Sequence, residues 1–408
     1  MKKIFLITTL IFSIQCFAQN EFDYFAKGAK FFAVKNYKEA ASNYAAGIQL
    51  QGKNTNIDAV LAGTAAFAAA NNNDSAFYLI NLLNKSALVS QGDINYISGI
   101  NEFQNAKKDN RWEGIKESLL KKASANYPME EIIYGRKDGM ALTMLQLKPK
   151  RKSNGKAIVR VIAGSWFSSY RSAEYSIRPS NMYLEKGYTC FLVIVGSQPR
   201  YPMPSQIDDI KRAIRFIKYN ASKYSIDPNK LGIEGSSAGG HLSLAVATAD
   251  EKININAADP IDRLSARVQA VAVLFPPTDF LNWGGQGLNF VNMPSILYTN
   301  KIYGALDFKK LDEATMALMP ISDTGMRIKI AKEISPIYAV SADDPPTFII
   351  HGTADLTVPI QQSISFIAKL KEVGVPNQFI IKKGGGHNAN DMQPEMQQFV
   401  DWFDLYLK

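Results

Sequence analysis

From Tyr127-Pro128 onward the chain alternates short, β-branched apolar runs with longer amphipathic stretches, and few architectures accommodate that alternation. AIVRVIA (157–163), CFLVIV (190–195), KLGIEG (230–235), VQAVAVLF (268–275), TFIIHG (347–352) and QFIIKK (378–383) read as strands. Between them lie helical stretches such as SQIDDIKRAIRFIKYNASKY, and PEMQQFVDWFDLYLK closes the pattern. Strands interleaved with helices predict an α/β fold, a mostly parallel sheet covered by helices on both faces.

The preceding hundred residues follow another period. Residues 21 to about 127 carry helical spacing, and Gly28, Gly63 and Gly99 recur at intervals of 35 and 36 residues. Each is followed four residues on by an aromatic, Phe32, Phe67 and Phe103, and small-plus-aromatic sets follow at Ala40 with Tyr44 and at Ala76 with Phe77 and Tyr78. This resembles tetratricopeptide repeats, in which a small residue sits where paired helices touch. Trp112 stands in the third copy where a small residue is expected. The expected organisation is a helical tetratricopeptide-like domain over 19–127 and an α/β domain over 128–408, with a cap insertion at about 281–334. The helical repeats are an expected site for a protein partner.

Met-Lys-Lys, the apolar run Ile4 to Phe12 and the small-x-small Cys16-Phe17-Ala18 follow the order of a secretory signal, so residues 1–18 are expected to be removed and the protein exported to the periplasm or beyond. The run is shorter than the ~20 residues that span a bilayer. Without it Cys190 alone remains of two cysteines, and no intrachain disulfide is expected. The net charge of +9 is scattered apart from Lys148-Pro149-Lys150-Arg151-Lys152, which predicts a solvated hairpin between MALTMLQL and KAIVRVIA rather than a nucleic-acid surface.

Gly235-Ser236-Ser237-Ala238-Gly239 sits between a strand and the helix-like HLSLAVATA. Alone, the pattern arises by chance in roughly one chain in ten of this length. Its placement reads as a nucleophile elbow, a tight turn that exposes the hydroxyl of Ser237. A serine needs a base, and the base an orienting acid. His387 lies in a glycine loop between the last strand and the last helix, and Asp355 just past the carboxyl end of the strand TFIIHG. Ser237, Asp355 and His387 follow the chain order of α/β-hydrolases. Asp279 is the second candidate for the acid, while His351 and His241 are expected to be structural. The amide of Ala238, with those of Gly164 and Ser165 after AIVRVIA, would form an oxyanion hole. Trp166, Tyr201 and Trp283 are candidate substrate contacts. The chemistry calls for no metal and no cofactor.

Residues 128–408 resemble the bacterial feruloyl and acetyl-xylan esterase branch of the α/β-hydrolases, related to hormone-sensitive lipase. The resemblance rests on Arg200-Tyr201-Pro202 with Ile207-Asp208-Asp209, on Tyr224-Ser225-Ile226-Asp227-Pro228, on Gly235 through Leu242, and on the Asp355 segment. It implies an exported serine carboxylesterase acting on acetyl or feruloyl esters, including those of plant polysaccharides, with Ser237, Asp355 and His387 as its triad. The family's oxyanion motif His-Gly-Gly-Gly-Trp is replaced here by Ile162-Ala163-Gly164-Ser165-Trp166. Two other readings share these residues: a serine peptidase of prolyl-oligopeptidase type, and a helical-repeat binding protein with an auxiliary hydrolase domain.

Overall fold

The computed structural model describes residues 21–51, 56–251 and 253–408; the expected signal peptide lies outside them. The chain divides into two compact units, one through Val89 and from Asp93 to Lys122, the other comprising Ser90–Gly92 and Ala123–Lys408.

The first unit is helical. Its helices include Glu21–Ala33, Tyr37–Gln51, Ile57–Ala69 and Asn73–Asn81, with Asn56 and Asn72 accepting backbone N–H groups at the starts of the last two. Two of the three recurring glycines mark helix contacts: a Cβ on Gly28 would lie 3.1 Å from the Tyr44 ring, and one on Gly63 would lie 2.9 Å from Leu79. Trp112 is buried and meets Phe103 edge to face at 4.8 Å, filling with a large ring the space that a small residue would leave.

The second unit is built on an eight-stranded sheet. Its strands are β1 (Met129–Lys137), β2 (Met140–Leu147), β3 (Ala157–Ile162), β4 (Thr189–Ile194), β5 (Leu231–Ser236) and β6 (Ala270–Leu274). A separate hairpin, β7 (Lys309–Asp312) with β8 (Ala317–Pro320), precedes the last two sheet strands, β9 (Thr347–Gly352) and β10 (Asn377–Lys382). The order is β1-β2-β4-β3-β5-β6-β9-β10, antiparallel at β1-β2 and β2-β4 and parallel elsewhere. This is an α/β-hydrolase sheet.

Alternate residues of each central strand enter two different cores. Val159, Val161, Val271, Val273 and Ile349 pack under the helices Met203–Tyr219 and Ala238–Ala247; Ile158, Ile162, Leu274, Phe348 and Ile350 meet Phe399, Trp402 and Phe403 of the helix Gln393–Tyr406. Both faces are covered, which explains why these strands read as continuous apolar runs. Cys190 lies in the second core, where burial pushes its thiol far above the ordinary range and leaves it inert.

The basic segment 148–152 does not form the expected hairpin. β4 lies between β2 and β3, so the segment is a connection that passes over a strand rather than a turn joining neighbours. The hairpin is one element earlier, at Asp138-Gly139, where positive φ values of 49° and 78° suit the right-handed twist of the flanking strands β1 and β2.

One polar pair interrupts the second core. Arg160 of β3 stands opposite Glu234 of β5 in the parallel register, and its guanidinium binds that carboxylate, the Ser180 hydroxyl at 2.7 Å and the Ser176 carbonyl at 2.9 Å. Removing one partner of a buried pair strands the other charge. Glu234→Gln is therefore expected to cost about 3–5 kcal/mol in urea unfolding. A cost below about 1 kcal/mol, as for an exposed pair, would show that the serine contacts alone satisfy Arg160.

Candidate active site

Ser237 occupies the turn between β5 and the helix Ala238–Ala247 with φ 53° and ψ −121°, an uncommon conformation for a non-glycine residue. Its neighbours hold it there. The Ser237 N–H donates to the Leu274 carbonyl at 2.9 Å, and the Gly239 N–H donates to the Ala163 carbonyl at 3.0 Å. A Cβ on Gly235 would collide with the Gly239 carbonyl, and one on Gly239 would come within 2.6 Å of the Val161 carbonyl oxygen. The glycines two residues either side of Ser237 are thus required by close backbone packing, not by flexibility.

The base arrives from the loop that follows the edge strand β10. Gly384 (φ 73°) turns the chain after β10, and its N–H donates to the Thr353 hydroxyl, while the Ala354 N–H donates to the Gly385 carbonyl. Gly352 lies against the Gly385 backbone so closely that no Cβ fits between them. The acid loop and the base loop are therefore joined to each other. The His387 ring packs on Phe275 at a centroid distance of 4.4 Å, its Nε2 lies 2.8 Å from the Ser237 hydroxyl and its Nδ1 2.7 Å from Asp355 Oδ2. With Nδ1–H donating to the carboxylate, Nε2 is left to accept the serine proton.

Asp355 is held on every side. Its Oδ1 accepts the N–H groups of Thr357 and Val358, both at 2.9 Å, and its Oδ2 also faces His351 Nε2 at 3.2 Å. Burial would push its carboxyl up, but hydrogen bonds from His351, His387 and Val358 outweigh it and hold the carboxyl well below the usual range. His351, expected only to shape the turn, does so through the Val358 carbonyl at 3.0 Å and also orients the acid. The His-x-x-x-Asp spacing was the available signal. Asp279 is not the acid: it accepts the Leu281 and Asn282 N–H groups and the Tyr338 hydroxyl, and no histidine reaches it among the described residues.

The oxyanion loop differs from expectation at one residue. Gly164 and Phe167 exchange two backbone hydrogen bonds, at 2.9 and 2.8 Å, around Ser165 (φ 50°) and Trp166 (φ 56°), so the loop is a tight turn of the kind that favours glycine at both central positions. The Gly164 N–H is committed to Phe167 and is not a free donor. The N–H groups of Ser165 and Ala238 have no protein acceptor among the described residues and remain as the candidate pair.

Trp166 and Tyr201 are not substrate contacts in this arrangement; both are buried. Tyr201 lies under the ammonium of Lys137, which also binds Asp209 at 2.6 Å. Trp166 donates from Nε1 to His241 Nδ1 at 3.0 Å, and His241 Nε2–H donates to the Ile334 carbonyl at 2.7 Å. Trp283 is half-buried and stacks on Phe290 at 4.1 Å. His241 thus braces the oxyanion turn against the end of the 281–334 segment, a role its position on the elbow helix conceals.

The geometry fits a family. The BD-FAE family model matches residues 144–370, a span that includes Ser237 and Asp355 and stops short of His387. Among curated proteins, a probable carboxylic ester hydrolase, LipM, of Mycobacterium tuberculosis is 28% identical over 53% of this chain and 45% of its own length. The esterase LipQ of the same organism is 28% identical over 60% of this chain and 52% of its own. The chain spans about half the length of these relatives. A truncated carbohydrate esterase from gut microbiota, a solved structure, superposes with a TM-score of 0.52 at 26% identity, over 67% of this chain and 96% of that one. Fold and site together define an α/β-hydrolase with a serine–histidine–aspartate relay. Within that class, the chain belongs to the BD-FAE family.

Burial pushes His241 down to about 4, so it stays neutral in the fold at pH values where the unfolded chain, near 6.5, takes up a proton. Stability from this group is complete above about pH 6.5 and falls away towards pH 4, by about 3 kcal/mol. Denaturant midpoints measured from pH 7 to 4 are expected to show this slope in the wild type and to lack it in His241→Leu; equal slopes would remove His241 as its source. The turn gives a second expectation: Ser165→Gly relieves a positive φ and stabilises by up to about 1 kcal/mol, read as a rise in melting temperature.

Proposed function

We propose that the protein is an exported serine carboxylesterase that removes acetyl or feruloyl groups from plant-polysaccharide esters. The observation that carries this reading is the continuous relay from the Ser237 hydroxyl through His387 to Asp355, at 2.8 and 2.7 Å. In the first half-reaction Ser237 Oγ bonds to the ester carbonyl carbon as its proton passes to His387 Nε2. The Ser165 and Ala238 amides bind the resulting oxyanion, and collapse expels the alcohol, which takes the proton from Nε2. Water, deprotonated by the same nitrogen, then releases the acid and restores Ser237. Asp355 stays ionised throughout and stabilises the imidazolium.

Export is supported by the secretory pattern of residues 1–18, and a saccharide ester by the likeness to a carbohydrate esterase. The helical unit, with its glycine contacts at Gly28 and Gly63, fits a tetratricopeptide-like array for docking a protein partner.

Ser237→Ala is expected to lower kcat/KM on p-nitrophenyl acetate by at least ~10³-fold while the protein stays folded. Feruloyl esters and an aminoacyl-anilide complete the series. Cleavage of the anilide without cleavage of either ester would make the protein a peptidase and overturn the assignment.

A further inference from the structure

A row of aromatic side chains beside the oxyanion turn has no task in the relay. Tyr298 and Tyr303 stack with centroids 4.3 Å apart and planes 7° from parallel, and Tyr298 is 62% exposed, so one of its faces is covered by Tyr303 while much of the ring meets solvent. Phe167, which closes the oxyanion turn, is 51% exposed. The three line one groove of about 400 Å³, edged by the polar side chains of Gln198, Lys301 and Asp307. That volume falls within the ~300–1,000 Å³ of small-molecule sites.

The groove is fixed relative to the reacting atoms. The Gln198 side-chain amide donates to the Ser165 carbonyl at 2.8 Å and to the Lys301 carbonyl at 2.9 Å, tying the residue whose N–H faces the oxyanion to the turn between the two tyrosines. Gly304 completes the tie, since a Cβ there would stand 2.6 Å from Pro199. Flat aromatic surface with polar groups at its edge is left open here although packing could have covered it. Such a surface matches a ligand that is itself two-sided, with polarised C–H groups on one face and hydroxyls around its rim. A pyranose ring is such a ligand: its C–H face suits the negative face of a tyrosine, and its hydroxyls suit Lys301 and the Asp307 carboxylate, which Lys309 already holds at 2.9 Å.

We infer that the Tyr298–Tyr303 groove is a subsite for a sugar ring on the alcohol side of the scissile ester, so that the enzyme holds its substrate by the saccharide as well as by the acyl group. The inference rests on the esterase reading, and the test separates the two. Binding of unesterified xylotetraose is measured by calorimetry, and kcat/KM is measured on acetylated xylo-oligosaccharides and on p-nitrophenyl acetate, for wild type, Tyr298→Ala and Phe167→Ala. Tyr298 is exposed, so its truncation leaves the core intact.

Tyr298→Ala is expected to weaken xylotetraose binding about tenfold, the equivalent of one lost aromatic contact. It should also lower kcat/KM on the acetylated oligosaccharide severalfold more than on p-nitrophenyl acetate, chiefly through KM. Equal affinity of wild type and variant for xylotetraose, or an equal loss of kcat/KM on the acetylated oligosaccharide and on p-nitrophenyl acetate, would overturn the subsite. Tyr298-dependent xylotetraose binding without cleavage of any ester would overturn the proposed reaction and leave the sugar site standing.

Discussion

The approach of Gly239 to β3 is the contact on which the site depends. With the Val161 carbonyl 2.6 Å from where a Cβ would be, the elbow can seat only if residue 239 has no side chain, and its N–H then reaches the Ala163 carbonyl. That seating carries Ser237 into a φ of 53° and aims its hydroxyl above the carboxyl ends of the strands. The same hydrogen bond joins the elbow helix to the strand that leads into the oxyanion turn. Ser237 and the candidate oxyanion amides are therefore placed by one local packing event, and the parallel register of β3 and β5 supplies the frame for it.

A second close approach does the same for the other half of the relay. Gly352 against Gly385 brings the acid and base loops together although they follow different strands. His351 below and His387 above then share one carboxylate, whose charge is maintained by N–H donors rather than by a cation. An acid held ionised in this way keeps the imidazole in the tautomer that can accept from serine.

Much of this was legible in the sequence because it depends on local rules. Strand runs, the elbow glycines and the order Ser237, Asp355, His387 all follow from short-range pattern, and the sheet places them as those patterns imply. The misreadings share a cause: each depended on which distant segments meet. The 148–152 segment resembles a hairpin in composition, but the position of β4 decides otherwise. Gly164 looks like the best donor in its loop because glycine amides are unobstructed, yet the pairing with Phe167 removes it. Trp166 and Tyr201 look like binding residues until burial against His241 and Lys137 is known. The Asp138-Gly139 turn was readable from its dipeptide alone.

Two struts, Gln198 and His241, connect the oxyanion turn to the segment that follows β6, one at Lys301 and the other at Ile334. Neither side chain touches the relay, and both grip main-chain carbonyls of that segment, which leaves its exposed side chains uninvolved in the tie. New substrate preferences can therefore be written into the exposed side chains of residues 281–334, Tyr298 among them, without disturbing the oxyanion turn, whereas Gly304 and the buried positions are fixed by packing. Insertions or deletions are different: a change in the backbone path at either anchor would be transmitted directly to the Ser165 amide. Length, together with its buried positions, is what this segment must keep while its exposed face changes.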